Sequence, residues 1–260
     1  MMKALVLALS ITALLAPSTA LADNYEIQVY GYKTAEPGET MIELHSNFTA
    51  KGTRETVDRV LPTRHQVHET LEITHGWTPW FETGFYVFTN IQPHGSWDWV
   101  GDHIRPRFRA PDEWQLPVGL SLSFEFGYVR PEYSTDQWTL EIRPIIDKEI
   151  GPWYLAFNPV FARSIKGENS HRGFDFSPNV KVSYQLTKVV AVGFEYYGDM
   201  GPFGNFDPLH RQAHVLYPAV DLDLDPKWEL NFGVGFALTG ASDSYIIKAI
   251  VGRRFNFFGK

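Results

Sequence analysis

The 260 residues include no cysteine. Disulfides are therefore excluded as a source of stability, and an exported chain of this kind must rely on a large hydrogen-bonded structure. Long apolar runs are also missing. After residue 22 no segment approaches the roughly 20 consecutive apolar residues that a membrane-crossing helix needs. Basic residues are in the minority, 23 Lys+Arg against 30 Asp+Glu, so the chain offers no electrostatic footprint for nucleic acid. Helical periodicity is scarce throughout.

The N-terminus has the layout of a secretory signal peptide. Lys3 supplies the basic start, Ala4 to Leu15 the apolar run, and Ala20-Leu21-Ala22 a small-x-small cleavage site before Asp23. Residues 1–22 carry one Lys and no acid, so their removal leaves 22 basic against 30 acidic residues and a net charge of about −8. Aromatic residues make up 15% of the chain, with 12 Tyr and 8 Trp, yet the mean hydropathy is slightly polar. A transmembrane β-barrel combines these properties, because its apolar outer face is diluted by a polar lumen and by loops.

Alternation with period 2 recurs along the chain. In Val118 to Val129, residues Leu120, Leu122, Phe124, Phe126 and Tyr128 share one face, and Gly119, Ser121, Ser123, Glu125 and Gly127 share the other. Twelve strands follow: 41–50, 66–75, 80–89, 104–110, 118–130, 138–146, 154–163, 174–185, 190–197, 213–222, 228–238 and 244–257. Connections at 76–79, 147–153, 186–189 and 223–227 are short. Those at 51–65, 90–103, 164–173 and 198–212 are longer and rich in Gly, Asn, Asp and His. The pattern predicts an all-β fold: a single closed antiparallel barrel with short periplasmic turns and longer external loops. The domain reading is a signal peptide at 1–22, a periplasmic or lumenal segment at 23–40, and the barrel at 41–260.

Over residues 41–260 this pattern resembles that of bacterial outer-membrane barrel proteins, in particular small members of about twelve strands that are uncharacterised or assigned to transport. The last strand, Tyr245-Ile247-Ala249-Val251 leading to Phe255 and Phe257, is similar to the terminal strand read by the barrel-assembly machinery. Gly259 and Lys260 follow Phe258, whereas the family usually ends on Phe. The resemblance implies an outer-membrane location, lipid and the assembly machinery as partners, small solutes as further ones, and no cofactor.

Alternation directs Leu122, Phe124, Phe157, Phe194, Phe232 and Phe236 toward lipid. Trp77, Trp80, Trp114, Trp138, Trp153 and Trp228 fall near strand ends, where an interfacial belt is expected. Pro106, Pro144, Pro159, Pro178 and Pro218 lie within strands. Proline removes a ladder donor, so bulges or bends are expected there. The inward face collects Glu43, Glu72 and the lumen-lining charges Glu82, Arg105, Arg107, Arg109, Glu125, Glu141, Arg143, Lys181, Glu195, Asp221 and Lys248. Arg105, Arg107 and Arg109 form a ladder on one strand face, about 7 Å apart, with Glu82 and Glu125 as the nearest carboxylates by strand order. The same residues fit a pore lining for a small polar or anionic solute and a salt-bridge lattice that fills the interior.

No catalytic or metal site is expected. His45 and Ser46 are adjacent on a strand and point to opposite faces, so they cannot pair as base and nucleophile. No Gly-x-Ser-x-Gly elbow is present, which leaves a lipid hydrolase as a distant alternative. The other histidines read as solvated loop residues. Two functions stand open: a passive channel or transport barrel for small polar solutes, and a structural or interaction barrel with a filled lumen.

Overall fold

The computed structural model describes residues 24–257. The expected signal peptide and the residues Phe258 to Lys260 lie outside them. Twelve antiparallel strands close into one barrel. They are β1 Glu39–Lys51, β2 Val67–Thr78, β3 Phe81–Ile91, β4 Trp97–Arg109, β5 Gly119–Val129, β6 Asp136–Ile150, β7 Trp153–Gly167, β8 Asp175–Gln185, β9 Val190–Asp199, β10 Ala213–Leu222, β11 Trp228–Ala237 and β12 Tyr245–Asn256. Each strand pairs with its sequence neighbours, and β1 pairs with β12, so no edge is left open. Two short 3-10 turns, Asp112–Trp114 and Leu209–Arg211, are the only helical pieces among the described residues.

The turns after β2, β6, β8 and β10 are short, and the connections after β1, β7 and β9 are long. By the rule for such barrels, the short-turn end is periplasmic. The strands match the expected ones, with two notable differences. First, β4 begins at Trp97, not at residue 104, so half of the expected loop 90–103 is wall. A bulge opposite Phe88 and Thr89 places Val100 and Gly101 both inward, which breaks the alternation and hides the strand. Second, β6 runs to Ile150, leaving a two-residue turn before β7.

The prolines do not create bulges. Register is constant through them, and the ladder is interrupted on one side only. Pro106 is paired to β3 but not to β5, Pro144 to β5 but not to β7, and Pro218 to β9 but not to β11. Pro159 and Pro178 face each other across β7 and β8. Each missing N–H thus costs part of one ladder while the other neighbour holds the strand.

Outward residues form the lipid face. Leu122, Phe157, Phe194 and Phe236 are exposed, and Phe124 and Phe232 are half-buried among outward neighbours. Trp77, Trp80, Trp114 and Trp153 are exposed at the short-turn end, with Trp97 and Trp99 at the other. This is a transmembrane barrel of the outer-membrane type, with an apolar belt between two aromatic girdles. Arginine at position 124 or 232 is expected to cost about 2–4 kcal/mol if it sits at the midplane. Urea unfolding in lipid measures this, and a loss near zero would mean that the face is not in hydrocarbon.

Candidate functional site

The lumen is not empty space. Residues 24–38, which belong to no strand, run through it from one end to the other. Asn24 donates to Asp243 in the β11–β12 loop at 2.8 Å. Thr70 of β2 donates to the Tyr25 carbonyl at 2.7 Å, and Lys248 of β12 donates to the Ile27 carbonyl at 3.0 Å. Arg107 of β4 donates to the Gly31 carbonyl, and Asp147 of β6 accepts from the Tyr32 N–H. Glu82 of β3 accepts from the Ala35 N–H, and Gly38 N–H donates to the Gly76 carbonyl at the floor of the barrel. A β-carbon at Gly76 would collide with the carbonyl oxygens of Ala35 and Glu36, so glycine there lets the segment cross. Backbone polar groups that a strand would satisfy by pairing are satisfied here by inward side chains of the wall.

Tyr30 is the centre of the arrangement. Asn158 of β7, fully buried, accepts from its N–H at 2.8 Å and donates to its carbonyl at 3.0 Å. This amide holds both backbone polar groups of one residue as a neighbouring strand would. The phenol contacts Glu26 and lies 3.2 Å from the Tyr86 hydroxyl. The guanidinium groups of Arg105, Arg143 and Arg107 lie 4.6, 4.9 and 5.7 Å from the ring centre. Among the described residues several guanidinium nitrogens of Arg105, Arg107 and Arg143 meet no acceptor within hydrogen-bond distance, and the ring face offers them a cation–π partner. Ile27 packs with Val215, Tyr217 and Ile246, and Tyr25 against Tyr86, Phe88 and Val100.

The expected lumen charges divide into clusters. Arg105 binds Glu72 at 2.8 Å and Glu82 at 3.3 Å, and Arg107 lies 3.5 Å from Glu82. Arg109 is set apart. It sits at the periplasmic rim with Asp112 and does not join the buried lattice. Glu125 does not serve the arginines either; it pairs with His103. Arg143 binds Glu141 at 2.6 Å and Glu26 at 3.6 Å. On the opposite wall Glu195 joins Lys248 to Lys181, and Lys181 reaches Asp221 at 2.7 Å.

The expectation that the other histidines are solvated is corrected for His68, His103 and His214, all of which are buried. Their strands place them inward, and His103 belongs to the part of β4 hidden by the bulge. His45 and Ser46 do point apart: His45 is inward and buried, and Ser46 donates to Glu69. Tyr30, Glu26 and Asn158 were missed by the sequence reading, because a threaded segment has no periodicity to mark its partners.

Two spaces flank the segment. A cavity of about 950 Å³ opens at the periplasmic end, lined by residues 28–36 together with Glu82, Arg105, Arg107, Lys181 and Glu229. A smaller one of about 340 Å³ lies beneath the external loops, lined by Glu26, Ile27, Val60, His103 and Tyr217. The β1–β2 loop folds over that end: Leu61 N–H donates to the Glu132 carbonyl, and Thr63 to Asp243 at 2.8 Å. Burial raises the Asp243 carboxyl above its ordinary range, while hydrogen bonds from Asn24 and Thr63 act the other way.

No protein-family model and no curated protein matches the chain. Solved structures do resemble it. The chain is similar to an outer-membrane channel from Pseudomonas putida F1, with 10% identity, a TM-score of 0.57, and 88% of this chain and 100% of that one covered. It is also similar to the KdgM porin, with 12% identity, a TM-score of 0.51 and coverage of 83% and 99%. The NanC porin follows with 6% identity, a TM-score of 0.50 and coverage of 81% and 97%. At these identities the likeness is one of fold, and the fold is that of bacterial outer-membrane channels.

Proposed function

We propose that the protein is an outer-membrane channel for small polar solutes, closed in this conformation by its own residues 24–37. The observation that carries the reading is the division of the lumen. Residues 28–36 line the periplasmic space and residues 24–27 the outer one, so the threaded segment runs between them together with buried wall side chains such as Arg143 and Lys248, and the lining of the periplasmic space is polar and of mixed charge. Such a lining exchanges hydrogen bonds with a solute as it does with the segment. The fold shared with outer-membrane channels supports the same reading.

A second reading is favoured by a different observation. Arg105, Glu72, Glu195 and Lys248 are almost completely buried and ion-paired, as in a barrel whose filled interior serves structure alone. Solute flux separates the two. Proteoliposomes carrying a variant without residues 24–37 are expected to swell in small neutral and zwitterionic solutes, and those with the full chain far more slowly. Equal, negligible swelling, with the variant still migrating as a folded barrel on unheated gels, would favour the filled structural barrel.

A further inference from the structure

We propose that Glu43, His45 and Glu72 form a divalent-metal site of the zinc type on the wall of the periplasmic cavity. Glu43 and His45 are two apart on β1 and share its inward face, and Glu72 stands directly opposite Glu43 on β2. One ligand atom from each lies within 4.8 Å of the other two, and all three residues are buried. One imidazole and two carboxylates are a donor set suited to zinc and its neighbours.

Two independent observations point to a cation as the ligand. The first is charge. Two carboxylates directly opposite on neighbouring strands repel. Among the described residues the guanidinium that reaches the trio is Arg105, on Glu72, and it is shared with Glu82. Arg254, further along β12, is engaged by Glu39 and Glu229. Among the described residues Glu43 has no ion pair. The second is hydrogen bonding. Among the described residues Glu43 Oε1 and both ring nitrogens of His45 are buried without a hydrogen-bond partner, and the nearest carboxylate oxygen to His45 Nε2 is on Glu72 at 3.6 Å. Buried polar atoms of this kind are costly unless something meets them.

The surroundings are arranged as an outer shell. Thr74 and Arg105 both donate to Oε1 of Glu72, at 2.7 and 2.8 Å, which fixes the carboxylate; Oε2 lies 3.6 Å from His45 Nε2 and accepts a long hydrogen bond from the Tyr30 hydroxyl at 3.5 Å. Outer partners of this type orient metal ligands. Ligand atoms around zinc stand roughly 3.3 Å apart at bonds of about 2.0 Å, so the trio closes by an ångström or so of side-chain rotation. Glu43 and Glu72 line the 950 Å³ cavity, which supplies an entry path and water for the fourth position.

The test uses the full-length protein in detergent, stripped with chelator and titrated with Zn²⁺ by calorimetry. One equivalent is expected to bind, and Glu43→Gln and His45→Gln are each expected to weaken it at least tenfold. Both are neutral, near-isosteric changes, and unheated gel migration confirms that they fold. No bound equivalent, or binding of wild-type strength in either variant, overturns the proposal. Should a variant fail to fold, Co²⁺ substitution of the unmodified protein decides. A tetrahedral visible spectrum with one imidazole nitrogen in X-ray absorption supports the site, and an all-oxygen or multiple-histidine environment contradicts it.

Discussion

Replacing Arg105 by methionine is expected to lower the stability of the barrel by about 3–5 kcal/mol, the usual cost of removing one partner of a buried ion pair. Arg105 is 2% exposed. Its guanidinium is the cation on Glu72 and one of two on Glu82. Methionine retains most of the volume, so the loss reports charge and hydrogen bonding more than packing. Glu82 keeps Arg107, but Glu72 keeps Thr74, the neighbouring His45 and a long hydrogen bond from the Tyr30 hydroxyl, none of them a permanent cation. The double variant Arg105→Met with Glu72→Met is expected to be more stable than the single one, because it removes the stranded carboxylate as well. Denaturant unfolding in lipid, followed by tryptophan fluorescence, measures both. A loss below about 1 kcal/mol for Arg105→Met would show that water reaches this part of the lumen.

Asn158→Leu is expected to act on the segment more than on the wall. The Asn158 amide makes two hydrogen bonds to the Tyr30 backbone, one at its N–H and one at its carbonyl, and leucine makes neither. Each stranded backbone group costs about 1–3 kcal/mol, so the threaded state loses roughly 2–6 kcal/mol relative to one in which the segment has left and its peptide groups are hydrated. The β7–β8 ladder, in which Asn158 faces Asn179, does not depend on that amide. Faster hydrogen exchange confined to residues 24–37 is therefore expected, with the barrel amides unchanged. Uniformly faster exchange would mean that segment and wall unfold as one unit.

The wall was legible because lipid outside and polar groups inside impose one strict alternation on every strand. Twelve segments such as Gly119–Val129 therefore announced themselves. Two kinds of feature escaped. At Val100 and Gly101 a bulge turns two consecutive residues inward, so alternation fails where the wall continues. That slip also made His103 look like a loop residue and left Glu125 without its true partner. Residues 24–38 escaped for a different reason. Their first half is enclosed by wall, so Ile27, Val29 and Tyr30 are buried beside Glu26, while Lys33, Glu36 and Pro37 are exposed at the periplasmic end, and no single face runs through both halves. Glu82, Arg105 and Arg107 were placed on the correct face, but that their charge is shared with the phenol and carbonyls of a threaded chain depends on contacts far apart in sequence. The Glu43–His45–Glu72 trio likewise needs the β1–β2 register before it becomes a group at all.

The central claim is that residues 24–37 close a passage which the barrel wall leaves open. Planar-bilayer recording of the full chain and of the variant without these residues tests it most directly, with unheated gel migration verifying that both are folded. A steady open conductance is predicted for the variant and a near-silent baseline for the full chain. Equal conductance in the two proteins, whether both open or both silent, would contradict the account.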